Sequence, residues 1–343
     1  MKRLLNTLFV TTQGSYIHRD GEAVLVETDG NIKLRVPVHT LQGIVCFGQV
    51  SMSPPLIGLC AQRGVAVSFL TKNGRFWGRV QGPVSGNVLL RREQYRSADN
   101  LTKSADIARS IIIAKLNNCR VVLLRAARAY PDKQGRDKVV KTSEHLFEIL
   151  KLLKSEQPLD TLRGIEGEGA RKYFEVFDNL IMAQNDNFLF KERNRRPPLD
   201  NMNALLSFLY TLVVHDVASA LETVGLDPAV GFLHRDRSGR PSLALDMMEE
   251  FRPYLADRLA LSLVNLKQVS YKGFKKSETG SVIMDDETRK TVITAYQNRK
   301  QEEIIHPFIK EKLPLGLLPY VQALLLARYL RGDLDGYPPF LWR

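Results

Sequence analysis

Gly82-Pro83-Val84-Ser85-Gly86-Asn87 separates two patterns in this chain. Clustered Gly, Pro, Ser and Asn break helix and strand alike, so the stretch reads as a boundary. On its N-terminal side the apolar residues fall in short β-rich runs: Leu4 to Thr12, Glu22 to Glu27, Ile32 to Val38, Ile44 to Val50, Val65 to Leu70 and Arg75 to Val80. Asp20-Gly21, Thr28-Asp29-Gly30-Asn31 and Lys72-Asn73-Gly74 supply the positive-φ residues that tight turns between strands require. A short helix over Pro55–Arg63, stopped by Gly64, interrupts them. Beyond the boundary the period becomes helical. Segments 100–128, 138–154, 168–183, 203–224, 243–260, 287–310 and 318–331 place apolar residues at i, i+3, i+4 and i+7. The expected fold is α+β: a small N-terminal β-domain of hairpins over 1–85, a linker over 86–99, and a larger all-α C-terminal domain over 100–343.

The 343 residues make about two domains at roughly 150 residues each. With 44% apolar and 25% charged residues, disordered and fibrous classes are excluded. The apolar stretch Leu313–Ala327 carries Pro314 and Pro319 and is too short to span a bilayer. Met1-Lys2-Arg3-Leu4-Leu5 opens like a signal peptide, but Asn6 and Thr7 follow with no small-residue cleavage site. A cytoplasmic protein without membrane contact is expected. Lys and Arg number 49 against 37 Asp and Glu, a net charge of +12, which favours polyanionic partners. That excess does not choose among DNA, RNA and an anionic membrane. Cys46, Cys60 and Cys119 are widely spaced among apolar residues and form no C-x-x-C pair, so they read as reduced core thiols. The Gly336-Tyr337-Pro338-Pro339-Phe340-Leu341-Trp342-Arg343 tail either packs on the body or presents a ligand to another chain.

Three places carry candidate chemistry. In Gly164-Ile165-Glu166-Gly167-Glu168-Gly169-Ala170-Arg171-Lys172-Tyr173-Phe174, a helix would put Glu166 on the apolar face of Ala170, Tyr173 and Phe177, with Glu168 on the polar side beside Lys172 and Glu175. A core-facing carboxylate needs a cation, a metal or a donor; alternatively the glycines fray the helix start and leave Glu166 in water. Gly231-Phe232-Leu233-His234 ends an apolar stretch at the turn Arg235–Pro241, a place that can aim an imidazole into a cleft. In Ser242–Pro253, Asp246 and Glu249 sit side by side at i and i+3, away from the face of Leu243, Met247 and Phe251, while Glu250 borders that face. Alone this is a solvated acidic face. With His234 just upstream it becomes an imidazole over carboxylates, a set that suits Mg²⁺ or Mn²⁺ and phosphodiester chemistry. Asp216, on the apolar face of the 203–224 helix, either supports a site or pairs with an arginine.

At these residues the chain resembles the CRISPR-associated spacer integrase, the larger of the two universal adaptation proteins. Gly164-Ile165-Glu166-Gly167 matches first, then Arg196-Pro197-Pro198 with Asn203–Tyr210, then Gly225-Leu226-Asp227-Pro228 running into Gly231–His234, and finally Pro241–Pro253. Order, spacing and the β-then-α layout agree over essentially the whole chain; tail and length are similar to the type I-C branch. The resemblance implies a homodimer formed largely through the β-domains and a divalent ion, Mg²⁺ or Mn²⁺, held by Glu166, His234 and Glu249, with Asp246 supporting catalysis. The acid at Glu250 leaves two carboxylates eligible for the third ligand position. It further implies insertion of spacer DNA at the leader–repeat junction by 3′-hydroxyl attack, and a bridging dimer of the second universal adaptation protein. Arg193, Arg195, Arg196, Lys272, Lys275 and Lys276 are the candidate DNA contacts. Two rivals use the same composition: a branched-DNA repair nuclease with the same acids and histidine, and a non-catalytic DNA-bending scaffold that needs none of them.

Overall fold

The computed structural model describes residues 6–72, 76–80, 88–184, 186–278 and 280–342. Met1–Leu5, the turn residues Asn73-Gly74 and the boundary stretch Gly82–Asn87 lie outside them. Two compact units emerge, residues 1–86 and 87–343.

The first unit holds β1 (Asn6–Val10), β2 (Tyr16–Asp20), β3 (Ala23–Thr28), β4 (Asn31–Pro37), β5 (Leu41–Phe47), β6 (Ser51–Met52), α1 (Pro54–Arg63), β7 (Ala66–Leu70) and β8 (Phe76–Val80). They form two four-stranded sheets, ordered β4-β3-β2-β6 and β1-β5-β7-β8. The first contains the expected hairpins, turning at Gly21 (φ 57°) and at Asp29-Gly30 (φ 52° and 72°). The second departs from hairpins, because β1, β5 and β7 are parallel and only β8 runs against them. Parallel neighbours need a crossover, which α1 provides between β6 and β7. Ser53 caps that helix at the backbone N–H of Leu56, and Gly64 ends it in the left-handed region. Ile44-Val45-Cys46-Phe47 is buried without alternation, as a strand covered on both faces requires.

The second unit contains α2 (Val88–Asp99), α3 (Leu101–Ala129), α4 (Arg136–Leu152), α5 (Leu159–Glu175), α6 (Asn201–Val224), α7 (Ser242–Phe251), α8 (Arg258–Asn265), α9 (Asp286–Gln301) and α10 (Leu318–Leu330). A π-helical turn, Arg252–Asp257, joins α7 to α8. The segment 86–99, expected as a linker, is mostly α2, and its buried positions Leu90, Gln94 and Ser97 share one face. The domain is helical, with two small hairpins added: β9 (Phe274–Lys276) with β10 (Val282–Met284), and β11 (Glu303–Ile305) with β12 (Lys312–Pro314). Strands of three residues are too short to show a period of two, and β11 cuts the expected 287–310 helix at Gln301. The longest apolar helix is α6, not the Leu313–Ala327 region. By length and composition α6 is sufficient to cross a membrane, yet 67% of its apolar window is buried inside the protein.

The expected 168–183 helix lies earlier, as α5, so its glycines are interior and do not fray its start. One of them has a packing reason. A Cβ on Gly169 would stand 2.3 Å from Cδ2 of Leu116 on α3, so glycine permits the close approach of α5 to α3. Gly169→Val should therefore overpack this contact and cost about 1–3 kcal/mol of helical-domain stability, read as a lowered urea midpoint at unchanged m-value. Wild-type stability in that variant would show that the helix contact yields freely.

Candidate active site

Helix α7 places Asp246, Glu249 and Glu250 within ten residues, and all three are buried, which corrects the expectation of a solvated acidic face. Each carboxylate survives burial because it has its own set of donors. Asp246 accepts the backbone N–H groups of Phe232 (2.6 Å), Leu233 (2.9 Å) and His234 (2.9 Å), and it also meets Nδ1 of His234 at 2.5 Å. With Nδ1 held as the donor, Nε2 is the nitrogen left to accept a proton or a cation. The imidazole is 23% exposed, so it is anchored from below and open above. Gly231 makes this cradle possible: a Cβ there would stand 2.6 Å from Oδ2 of Asp246 and 2.8 Å from the carbonyl carbon of Ser242.

The loop bearing His234 is also fixed from two helices. Arg163 of α5, one turn before Glu166, donates to the carbonyl of Leu233 at 2.7 Å. Gln94 of α2 donates to the carbonyls of Asp227 (2.8 Å) and Val230 (2.9 Å) and accepts the N–H of Asp227 (2.9 Å). The supposed linker is thus a support for the site. Beside the imidazole lies a cleft of about 340 Å³ lined by Tyr95, Asp99, Leu159, Arg163, His234 and Arg235, among others.

Glu166 and Glu249 meet at a residue that the sequence pattern did not single out. Lys115 of α3, 2% exposed, forms a short ion pair with Glu166 and lies 2.7 Å from Glu249. Burial works to lower the Lys115 pKa, but Glu249 and Glu166 outweigh it and hold the ammonium above its ordinary range. Glu249 also accepts from Arg252 at 2.7 Å. Burial opposes the charge on Glu249, and the Arg252 guanidinium and Lys115 ammonium overcome that opposition, holding the carboxyl down at about 2. Among the described residues no three His, Cys, Asp or Glu side chains stand as a ready-made metal cage. What the structure has is two carboxylates converging on one cation, next to an imidazole. The signal for Lys115 was its spacing, four residues from both Ile111 and Cys119 on the buried face of α3.

Glu250 faces elsewhere. It accepts from Tyr337 Oη (2.5 Å), Phe340 N (2.7 Å) and Gln322 Nε2 (2.9 Å), which resolves the tail as packed on the body. Its burial pushes the carboxyl up to about 7 despite those donors. Asp216 is likewise committed, to Tyr296 Oη (2.7 Å) and Lys300 (2.8 Å).

The basic candidates divide. Arg193 turns inward, donating to Asn203 Oδ1 (2.7 Å) and Ser207 Oγ (3.1 Å) and stacking over Tyr210, so it braces the loop that precedes α6. Arg195, Arg196, Lys272, Lys275 and Lys276 are exposed. The loop and the β9–β10 hairpin are joined by the Val282 N–H donating to the Pro198 carbonyl (2.8 Å). Arg237 and Arg240, in the turn after His234, join the cluster. Partial burial lowers the Arg240 pKa, and Arg237, Arg195 and Arg196 add repulsion against the pull of Asp246. Among the described residues none of these four arginines forms a direct ion pair with a carboxylate, Arg240 feeling Asp246 only at a distance.

Fold and site together define a two-domain protein whose basic helical domain gathers an acid–lysine–acid cluster beside an oriented histidine. The profile of the family described as CRISPR associated protein Cas1 matches residues 8–298. A CRISPR-associated endonuclease Cas1 of Chlorobaculum tepidum is 59% identical over 343 residues, covering 100% of both chains. The chain belongs to the Cas1 family. Its fold is similar to a solved Cas1 protein from Thermotoga maritima (TM-score 0.82, 24% identity, 95% of this chain and 97% of that one). It is similar also to a casposase bound to integration product (TM-score 0.84, 22% identity, 99% and 94%).

The cradle makes a direct prediction. Asp246→Ala leaves two buried and one part-buried backbone N–H groups and His234 Nδ1 without their acceptor, and should cost roughly 2–3 kcal/mol in a urea titration. Gly231→Ala, which crowds the same carboxylate, should lower stability in the same direction. Neutral behaviour of both variants would mean that the carboxylate does not organise the loop.

Proposed function

We propose that the chain is a metal-dependent DNA endonuclease and integrase of CRISPR adaptation, and that it inserts spacer DNA at the leader–repeat junction. The observation that carries this reading is the convergence of Glu166 and Glu249 on a single cation position beside His234, itself locked by Asp246. Carboxylate oxygens with one neutral imidazole nitrogen are a donor set that suits Mg²⁺ or Mn²⁺. Glu166, Glu249 and Nε2 of His234 would hold the ion. When bound, it supplies Lewis-acid polarisation of the phosphodiester and neutralises charge that develops on its oxygens.

The protein's own groups do the rest. Asp246 keeps the proton on Nδ1 of His234 and so presents Nε2 in one orientation. Arg195, Arg196, Arg237 and Arg240, none of them in a direct ion pair with a carboxylate, offer guanidinium groups to the DNA backbone. Lys272, Lys275 and Lys276 extend the basic surface along the β9–β10 hairpin. The reaction exchanges one phosphodiester for another: the 3′-hydroxyl of the incoming strand forms a P–O bond to the 5′ phosphate of the repeat, and the leader strand leaves as a 3′-hydroxyl, gaining the proton that the attacking hydroxyl loses. No nucleotide hydrolysis is needed. With water as nucleophile the same site cleaves. The working form is a homodimer through the β-domains, bridged by a dimer of the second universal adaptation protein and acting in the cytoplasm. Tail and length favour the type I-C branch.

Two substitutions separate chemistry from binding. His234→Ala should abolish strand transfer while DNA affinity stays within about twofold, measured by gel shift beside the joining assay. Loss of DNA binding in this variant would put the chemistry elsewhere. Replacing Arg195 and Arg196 by Ala should weaken DNA binding at every sequence and reduce the slope of log K against log [salt] by ~2, because each phosphate that an arginine neutralises adds about 0.9 to that slope. An unchanged slope would remove them from the DNA path.

A further inference from the structure

Lys115 occupies the very position that the proposed ion would need. Its ammonium contacts both Glu166 and Glu249, and among the described residues no other cation in the cluster touches both. Lys115 and Arg252 balance Glu166 and Glu249, so these four side chains carry no net charge together. A divalent ion added to that arrangement would bring two uncompensated charges into a buried site and would sit against an ammonium. The lysine stem is unbranched and rotatable, so its head group is able to withdraw, whereas Arg252 is pinned between Glu249 and the Tyr210 ring.

We infer that Lys115 is the resident counter-ion of this site: it holds Glu166 and Glu249 together in the metal-free protein, and a divalent cation gains the two carboxylates only by displacing it. The inference rests on the proposed metal site. It makes Lys115 a positioning residue whose occupancy opposes metal binding, so that the site resists loading until the ammonium leaves. Two consequences follow from the balance of charges. Without Lys115 the carboxylates repel each other, and the metal-free fold loses stability. The competitor for the ion is also gone, and affinity for the ion rises.

The test uses the full-length protein without DNA and Mn²⁺ as the probe, with bound Mn²⁺ read from the loss of the free-ion electron paramagnetic resonance signal. Lys115→Met should bind Mn²⁺ at least tenfold more tightly than wild type, melt at a lower temperature without metal, and gain more on adding Mn²⁺ than wild type gains. Lys115→Gln is measured in parallel. If both variants fold only when Mn²⁺ is present, that also supports the inference; if both stay unfolded with Mn²⁺, it fails. Equal or weaker Mn²⁺ binding in the folded variants overturns the role of Lys115 but leaves the metal site standing, because wild type still binds and Glu166→Gln does not. Absence of Mn²⁺ binding in wild type and in every variant would instead remove the metal site itself.

Discussion

The buried contact of Lys115 with Glu166 and Glu249 is the constraint around which the larger domain is arranged. Three helices meet there, α3, α5 and α7, each contributing one charged side chain. Lys115 and Glu249 are buried there and Glu166 is half-buried, and an unpaired buried ion costs several kcal/mol. The helices must therefore approach closely and in one register. Gly169 supplies the closeness between α5 and α3, and Arg252, set by the π-helical turn after α7, supplies the second cation that Glu249 requires. The polar network continues inward from Arg252 through Tyr210 to Asp257, which accepts from Tyr210 (2.6 Å) and Tyr173 (3.1 Å).

The second half of the site obeys a different rule. His234 lies on a loop, and loops acquire precision only when their backbone groups are satisfied. Asp246 takes three successive N–H groups of that loop, Gln94 takes two of its carbonyls and Arg163 a third. An imidazole outside any helix or strand is given a defined position in this way. Glu250, one turn after Asp246 on α7, performs a comparable task and ties down Tyr337 and Phe340 of the tail.

Much of this was legible in the sequence because it rests on periodicity. The change from short β runs to helical spacing placed the two domains, and i, i+3 and i, i+4 offsets put Glu166 on the buried face of its helix. What escaped depends on contacts distant along the chain. The parallel pairing of β1, β5 and β7 is not visible in any one strand, although the unbroken run Ile44–Phe47 was its trace. The burial of Asp246 and Glu249 required knowing that the His234 loop and Lys115 cover them. Residues 88–99 looked like a linker because Gln94 and Ser97 occupy inward positions that a hydrophobic pattern reads as polar. Arg193 looked like its neighbours Arg195 and Arg196, and only Asn203 and Ser207, a turn into α6, draw it inside.

The most direct test is half-site integration of a short duplex into supercoiled plasmid, with Mg²⁺ or Mn²⁺, by wild type and Glu166→Ala, each with and without the second adaptation protein. Joined, relaxed product from wild type and none from Glu166→Ala is the predicted result. Joining that survives the loss of Glu166, or cutting without joining even when the partner and a cognate repeat are supplied, would contradict it.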